Sequence, residues 1–171
     1  MSQEPAVLRF GIFRSADADV ILSWAVTPGE RRAWASIVDP APDASIFDRW
    51  HADPEVHPYE LLADGIPIGY GEVWEDREED SAELARVIVA PAWRGRGFGR
   101  MLVFFLTKRA KDAGFDAVWV RVAPGNHAAI ATYAAEGFDR TSAEQEAAFN
   151  DGQPESYVWM RLTRSNEPPR R

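Results

Sequence analysis

The segment from Glu83 to Leu102 places a strand, a glycine-rich basic turn and a helix directly after one another. Residues 83–89 are mostly aliphatic or β-branched, which predicts a buried strand. The turn at 94–100 reads Arg-Gly-Arg-Gly-Phe-Gly-Arg. Apolar residues then recur at helical spacing over 98–113, and Gly114 is typical of a helix C-terminus. The chain therefore needs a sheet against which one face of this helix can pack.

The turn at 94–100 has the chemistry of an anion site. Its glycines permit positive φ and let a ligand approach the backbone. The unpaired N–H groups of the first helical turn and the helix dipole favour negative charge there. Because Arg94, Arg96 and Arg100 add full positive charges, the turn predicts a pyrophosphate site. The alternative is an ordinary turn whose arginines are solvated.

The spacing of the glycines distinguishes between phosphate-binding motifs. The dinucleotide fingerprint fails because Arg100 stands where its third glycine belongs, and the mononucleotide P-loop is absent. What fits is Arg-x-x-Gly-x-Gly at Arg94, Gly97 and Gly99. With this motif the chain resembles the GNAT superfamily of acetyl-CoA-dependent N-acetyltransferases, whose signature is [Gln/Arg]-x-x-Gly-x-[Gly/Ala] between a strand and a helix. A second GNAT pattern follows, Asn-x-x-Ala-x-x-x-Tyr over residues 126–133.

The remaining patterns give the element order β-α-α-β-β-β-α-β-α-β-β, which is also the GNAT order. Thr27 to Glu30 has the form of a helix capping box, and Asp64-Gly65 has that of a hairpin turn. Residues 142–154 read as a long polar connection. The resemblance implies an α/β (α+β) fold with a mixed, mostly antiparallel sheet flanked by helices. It implies one GNAT-like domain over residues 1–163. Residues 164–171, which include Pro168-Pro169, are expected to form a disordered tail.

Composition excludes several classes of function. A net charge of -8 argues against general nucleic-acid binding, and the absence of cysteine excludes disulfides and thiolate chemistry. No apolar run is long enough for a membrane span and no signal peptide is recognisable, so a soluble cytoplasmic protein is expected without a membrane partner. His51, Asp53 and His57 match no zinc spacing and are expected to be surface-loop residues rather than a metal site.

The resemblance implies acetyl-CoA as cosubstrate and indicates where it binds. In the family the pantetheine arm lies along the central strand like an added strand. The side chains of that strand belong to the core at the same time. Asn126 is both a good helix N-cap and the match for a family asparagine that contacts the cofactor, and both roles stay open. The implied cofactor-binding residues are Val87, Ile88, Val89, Arg94, Gly95, Arg96, Gly97, Phe98, Gly99, Arg100 and Asn126.

Acyl transfer to an amine needs a base whenever the amine is strongly basic. At pH 7 the neutral form of a lysine-like amine, with a pKa of about 10.4, costs roughly 4.6 kcal/mol, whereas an α-amino group costs only about 1 kcal/mol. Glu83 is the candidate base, because some GNAT enzymes place a catalytic glutamate at its offset from the arginine. Its alternative roles are to face water or to pair with Arg86. Glu72, on the neighbouring strand, is the second candidate base.

Tyr133 is the candidate general acid, because in many members the corresponding hydroxyl protonates the departing thiolate. The alternative is a core tyrosine at helical spacing. The sequence departs from the family at Arg121, where members that acetylate protein N-termini often have a glutamate. A cation at this position weakens the case for that class of substrate.

The resulting hypothesis is direct transfer of an acetyl group from acetyl-CoA to a primary amine of a small molecule or peptide. A backbone N–H near Val89 would stabilise the oxyanion. The alternative is a non-catalytic acyl-CoA-binding or regulatory module on the same fold, which would not need Glu83 or Tyr133. An antibiotic, a polyamine, an amino acid and a peptide all remain open as acceptors. A homodimer is possible, because GNAT proteins are often dimers.

Overall fold

The computed structural model describes residues 6–37 and 40–164. The tail predicted at 164–171 lies outside the described residues except for Arg164, whose backbone N–H donates to Gly137 O at 3.2 Å. The strands are β1 (Leu8–Ile12), β2 (Val56–Ala63), β3 (Ile66–Asp76), β4 (Ser81–Val89), β5 (Ala117–Val122), β6 (Phe138–Arg140) and β7 (Val158–Leu162). The α-helices are α1 (Ala18–Leu22), α2 (Pro28–Ala35), α3 (Ile46–Trp50), α4 (Phe98–Asp112), α5 (His127–Ala135) and α6 (Ala143–Asn150).

One seven-stranded sheet organises these elements in the order β1-β2-β3-β4-β5-β7-β6. Every neighbouring pair is antiparallel except β4 and β5, which are parallel and joined by the crossover helix α4. The prediction of a mixed, mostly antiparallel sheet flanked by helices is therefore confirmed.

Helices cover both faces of the sheet and enclose two hydrophobic clusters. Helices α4 and α5 pack on one face, where Leu102, Leu106 and Tyr133 meet the apolar side chains of β2 to β7. Helices α1 to α3 pack on the opposite face, around Phe47 and Tyr70. A Cβ atom added at Gly71 would lie 2.6 Å from Leu106 Cδ1, so the glycines of β3 let α4 approach the sheet closely.

Local signals placed several elements correctly. Thr27 caps α2 through its side chain, Glu30 completes the capping box, and Pro28 is the first helical residue. The apolar face predicted for the helix after the glycine turn is the buried face of α4.

Two local predictions were wrong. The polar connection expected at 142–154 contains α6, which Ser142 caps by accepting from the N–H of Gln145. This helix has a single large apolar residue, Phe149, whose ring packs against Trp119 and Trp159 at centroid distances of 5.2 and 5.1 Å. Strand β2 begins at Val56 rather than Tyr59, so the predicted loop residue His57 lies in a strand.

Candidate active site

The parallel strands β4 and β5 stay paired only over a short distance. Their register joins Ser81–Glu83 to Ala117–Trp119, and beyond Glu83 the two strands diverge. Residues 84–89 therefore have no strand partner on the β5 side within the described part of the chain. An exposed strand edge of this kind offers backbone donors and acceptors to an extended ligand. The residues predicted to bind the pantetheine arm, Val87, Ile88 and Val89, lie on this free edge.

A β-bulge in β4 lies beside this opening. Tyr70 of β3 faces Ile88, but two residues further along Glu72 faces Ala85, so β4 contains one extra residue. Arg86 takes up the irregularity with a φ of 47°. Its carbonyl oxygen accepts a hydrogen bond from Trp34 Nε1 at 2.7 Å. The bulge directs the Arg86 side chain to the face of the sheet that carries α1 to α3.

Glu72 is fully buried on that face and is surrounded by donors. It accepts hydrogen bonds from the Tyr70 hydroxyl, from Trp74 Nε1 at 2.6 Å and from Arg86 Nη1 at 2.6 Å, and His51 Nε2 lies 3.5 Å from its Oε1. Burial acts to raise the pKa of Glu72, but these hydrogen bonds and the Arg86 charge outweigh it and lower the pKa. A carboxylate held so firmly in its ionised form is a poor general base, and it supports Arg86 instead.

Glu83 lies at the last paired position before β4 and β5 diverge. Its Oε1 is 2.7 Å from Arg121 Nε of β5, and the two side chains are 18% and 25% exposed. The sequence had allowed a pair with Arg86, but the structure pairs Glu83 with Arg121. Burial raises the pKa of Glu83, and the charges of Arg121 and Arg86 offset only part of that rise. Of the two candidate carboxylates, Glu83 is therefore the one suited to accept a proton.

Tyr133 lies on α5, on the opposite face of the sheet from the Glu83 side chain. It is 7% exposed, and its ring contacts Phe138 edge-on at 5.7 Å. Its hydroxyl has no hydrogen-bond partner among residues 6–37 and 40–164. Burial raises the pKa of Tyr133, and the negative charge of nearby Glu83 raises it further, so the phenol remains protonated and able to donate.

The glycine turn lies at the other end of β4. Gly95 and Gly97 have φ of 70° and 87°, with open space where a Cβ would stand. Gly97 is the N-cap of α4, so no side chain occupies the cap, and the first turn contains no acidic residue. Arg96 is exposed and lies over the Trp93 ring at 4.8 Å, while Arg100 is 48% exposed beside Glu136. These donors and charges fit a pyrophosphate.

Arg94 has a different environment from the other two arginines. Its guanidinium donates to Val89 O at 2.9 Å and to Trp24 O at 2.9 Å, and it forms an ion pair with Glu30 at 3.0 Å. Arg94 was predicted to bind phosphate, but in the structure its guanidinium connects the end of β4 to α2 and to the segment after α1.

Asn126 caps α5, as predicted. Its Oδ1 accepts from Ala129 N–H at 3.2 Å, which leaves the side-chain NH₂ without an acceptor in the described part of the chain. The capping and ligand roles are compatible, because one uses the oxygen and the other would use the nitrogen.

Arginine and aromatic side chains stack across the face of the sheet that carries Glu83. The tryptophans at 50 and 74 were candidates for an aromatic pocket, but the sequence did not predict that arginines would stack on them. The Arg86 guanidinium lies 4.0 Å from the Trp50 ring and 4.8 Å from the Trp74 ring. The Arg121 guanidinium lies 5.4 Å from the same Trp74 ring and 5.5 Å from Trp159. We call these five residues the arginine–tryptophan row. The alternation of Tyr70, Glu72 and Trp74 along β3 was the available signal, because it places all three on one face.

Neither a metal centre nor a membrane segment emerges from the described residues. No three His, Cys, Asp or Glu side chains in residues 6–37 and 40–164 cluster as metal ligands would, and His57 lies 3.3 Å from Glu75. Within the same ranges, no helix is both long and apolar enough to cross a bilayer.

Comparison with known proteins identifies the class. The family model described as the acetyltransferase (GNAT) family matches residues 19–138, and the chain belongs to this family. The predicted class, an acetyl-CoA-dependent acyltransferase of the GNAT superfamily, is thereby confirmed at the level of the family.

Part of the chain is similar in sequence to a characterised N-acetyltransferase. The [ribosomal protein bS18]-alanine N-acetyltransferase of Salmonella typhimurium is 36% identical over 63 residues, which are 37% of this chain and 43% of the relative. The match therefore spans less than half the length of that enzyme.

Solved structures support the fold. The ribosomal-protein-alanine N-acetyltransferase of Brucella melitensis has a TM-score of 0.68 at 20% identity, covering 90% of this chain and 98% of its own. The PaiA N-acetyltransferase of Thermoplasma acidophilum, in complex with coenzyme A, has a TM-score of 0.68 at 16% identity, covering 92% and 99%. An aminoglycoside acetyltransferase in complex with coenzyme A and kanamycin has a TM-score of 0.70 at 20% identity, covering 92% and 95%. At these identities the likeness concerns the fold.

Proposed function

We propose that this protein transfers an acetyl group from acetyl-CoA directly to a primary amine of a small molecule or peptide. One observation carries the proposal. Glu83, whose pKa is raised, stands where β4 and β5 diverge, close enough to Tyr133 for its charge to raise the pKa of that phenol. A candidate base and a candidate acid thus lie on either side of the opening between β4 and β5, near enough to interact through their charges.

The free edge of β4 and the glycine turn that follows it offer a binding position for each part of acetyl-CoA. The N-terminus of α4, with Gly95, Gly97, Arg96 and Arg100, is suited to the pyrophosphate. The free edge at 87–89 is suited to the pantetheine arm, and the Asn126 amide nitrogen is available to it. A backbone N–H near Val89 is the candidate oxyanion donor.

Acetyl-CoA supplies the thioester whose acetyl carbon the amine attacks. Glu83 takes the proton that the amine must lose, and its raised pKa brings its basicity closer to neutral pH. Tyr133 donates its proton to the sulfur as the carbon–sulfur bond breaks. The new amide bond forms at the same carbon, so no covalent bond to the protein is needed.

The test is Tyr133→Phe, measured by release of the CoA thiol with a panel of amines and by calorimetric titration with acetyl-CoA. Because general acid catalysis is typically worth 10²- to 10⁴-fold, we expect turnover to fall by about 100-fold or more with unchanged cofactor binding. Tyr59→Phe is the matched control, because Tyr59 stacks on Phe10 in β1 and is expected to leave turnover intact.

Three results would change the proposal. Unchanged turnover in Tyr133→Phe would remove Tyr133 as the acid. Cofactor binding without turnover on any amine would favour the non-catalytic acyl-CoA-binding module. The absence of acetyl-CoA binding would overturn both functions.

A further inference from the structure

The ion pair between Glu83 and Arg121 occupies the place where the acceptor amine has to react. Both side chains reach solvent, and their contact is 2.7 Å long. Arg121 also donates to Gln153 Oε1 at 3.0 Å, and its guanidinium lies over the rings of Trp74, Tyr157 and Trp159. The pair is therefore held on one side by protein and is open on the other.

This pair poses an electrostatic problem for a simple amine. When Glu83 binds an ammonium group or takes its proton, Arg121 loses its anionic partner. A substrate with positive charge alone would also meet Arg86, whose own carboxylate, Glu72, is already fully engaged. Three positive groups, Arg86, Arg121 and the substrate ammonium, would then share only two carboxylates, those of Glu72 and Glu83.

A substrate with its own carboxylate next to its ammonium group solves this problem. Its ammonium replaces Arg121 at Glu83, and its carboxylate replaces Glu83 at Arg121, so one ion pair becomes two. The net charge of the site does not change on binding. A guanidinium is also the side chain best shaped for bidentate contact with a carboxylate.

We propose that the acceptor is a free α-amino acid, bound with its ammonium at Glu83 and its carboxylate at Arg121. This inference rests on the proposed function and specifies its substrate class. A polyamine has no carboxylate, and the N-terminus of a peptide has its first carbonyl in an amide, so neither can exchange with the pair. The rings of Trp74 and Tyr157, which lie next to Arg121, are partly exposed and favour an apolar or aromatic side chain on the amino acid.

The experiment uses the full chain and reads CoA thiol release with three sets of acceptors. These are the twenty amino acids, the corresponding amino acid amides, and a set of polyamines and short peptides. We expect at least one amino acid to exceed its own amide by about 100-fold or more in kcat/KM, since its carboxylate forms a charge-assisted pair that the amide cannot form. Amides, polyamines or peptides that react as well as every amino acid would overturn the inference.

Arg121→Gln tests the assignment of the carboxylate site. At a pH above the acidic limb, we expect kcat/KM for the best amino acid to fall to within a few-fold of the value for its amide, and the loss for the amide to be far smaller than the loss for the amino acid. Arg161→Gln is the matched control, because Arg161 lies on the same face over Trp119 at 5.3 Å and has no carboxylate within ion-pair distance in the described ranges. It should retain full discrimination.

Two further readouts separate this role from a structural one. In Arg121→Gln the acidic limb of the kcat/KM profile should move to higher pH, because a positive charge that stabilises the Glu83 carboxylate is lost. Acetyl-CoA binding should stay unchanged, and Arg121→Lys should restore part of the discrimination. Equal losses on amino acids and amides would contradict the assignment.

Failure of this inference is distinguishable from failure of the proposed function. If amides or polyamines are acetylated and amino acids are not, the acetyltransferase remains and only the amino acid assignment is wrong. If acetyl-CoA binds and no amine of any set releases CoA, the proposed function fails and this inference fails with it.

Discussion

Two glutamates on one face of the sheet should respond in opposite ways to the same substitution. Glu72 and Glu83 each pair with an arginine, Arg86 and Arg121, and Gln has nearly the same shape as Glu. The pKa of Glu72 is lowered, so its folded environment favours the charge, whereas the pKa of Glu83 is raised by burial. Removing the charge should therefore destabilise the protein at Glu72 and not at Glu83.

The magnitude follows from the partners of Glu72. A glutamine at this position keeps its oxygen towards Trp74 and Arg86 and turns its amide towards the Tyr70 hydroxyl, which can accept. The loss is then the negative charge opposite Arg86, whose side chain is 16% exposed. Removing one member of a buried pair costs about 3 to 5 kcal/mol, and the retained hydrogen bonds bring the expected loss to about 2 to 4 kcal/mol. At roughly 2 to 4 °C per kcal/mol, Tm should fall by about 5 to 15 °C.

Urea unfolding followed by tryptophan fluorescence measures this difference. A lowered carboxyl pKa contributes stability above the unfolded-state value of about 4.3, and that contribution disappears as the pH falls through the folded-state pKa. The gap between wild type and Glu72→Gln should therefore be full at pH 7 and close in acid. Glu83→Gln should stay within about 1 kcal/mol of wild type and yet lose most of its turnover. Equal destabilisation by both substitutions, or a gap at Glu72 that does not change with pH, would refute the reasoning.

Three further predictions concern other parts of the molecule. Gly97→Asp should abolish acetyl-CoA binding in a calorimetric titration, because it places a carboxylate at the N-cap of α4 and strains a residue with φ of 87°; unchanged affinity would move the pyrophosphate elsewhere. Glu60, buried between Arg14 and Asp17, has a pKa raised to about 7 by burial and by the Asp17 charge. Its protonated form is favoured in the folded state, so the unfolding free energy should fall between the unfolded-state pKa of about 4.3 and the folded-state pKa of about 7. Glu60→Gln should remove a decrease on the order of 2 kcal/mol over this range; a decrease that persists would contradict the assignment. The acidic limb of kcat/KM should lie above the ordinary glutamate pKa of about 4.3, because Glu83 must be ionised to act as a base; a limb at or below that value would argue against Glu83.

The parts of the fold that sequence predicted are those with local causes. The glycine turn, α4 and the capping box of α2 depend on residues within a few positions of one another. The α6 helix had a local signal in Ser142 and Gln145, which fit a capping pattern. The sequence lacks an apolar helical face there, because the one large apolar residue, Phe149, is only half-buried and packs on Trp119 and Trp159 from two strands. The start of strand β2 also depends on a distant partner, because it is fixed by pairing Val56 with Trp74 of β3.

For the candidate site, motif residues were predictable and their partners were not. Glu83 and Tyr133 were named from the resemblance to the GNAT pattern, and in the structure the charge of Glu83 raises the pKa of Tyr133. The partner of Glu83 depends on the register between β4 and β5, which sets Arg121 beside it. The bulge at Arg86 depends on the offset between β3 and β4. The local sequence predicts neither the register between β4 and β5 nor the offset between β3 and β4.

The short junction between β4 and β5 also has a mechanical consequence. The sheet has two parts, strands β1 to β4 and strands β5, β7 and β6. The strand pairing between these two parts is limited to Ser81–Glu83 with Ala117–Trp119. Backbone amides along a seam of this kind exchange with solvent through small local openings rather than global unfolding. A ligand that forms hydrogen bonds with the unpaired edges of β4 and β5 would connect the two parts of the sheet. Amide hydrogen exchange should then slow first along this junction. The strand edge proposed for the cofactor thus adjoins a junction of only three residue pairs.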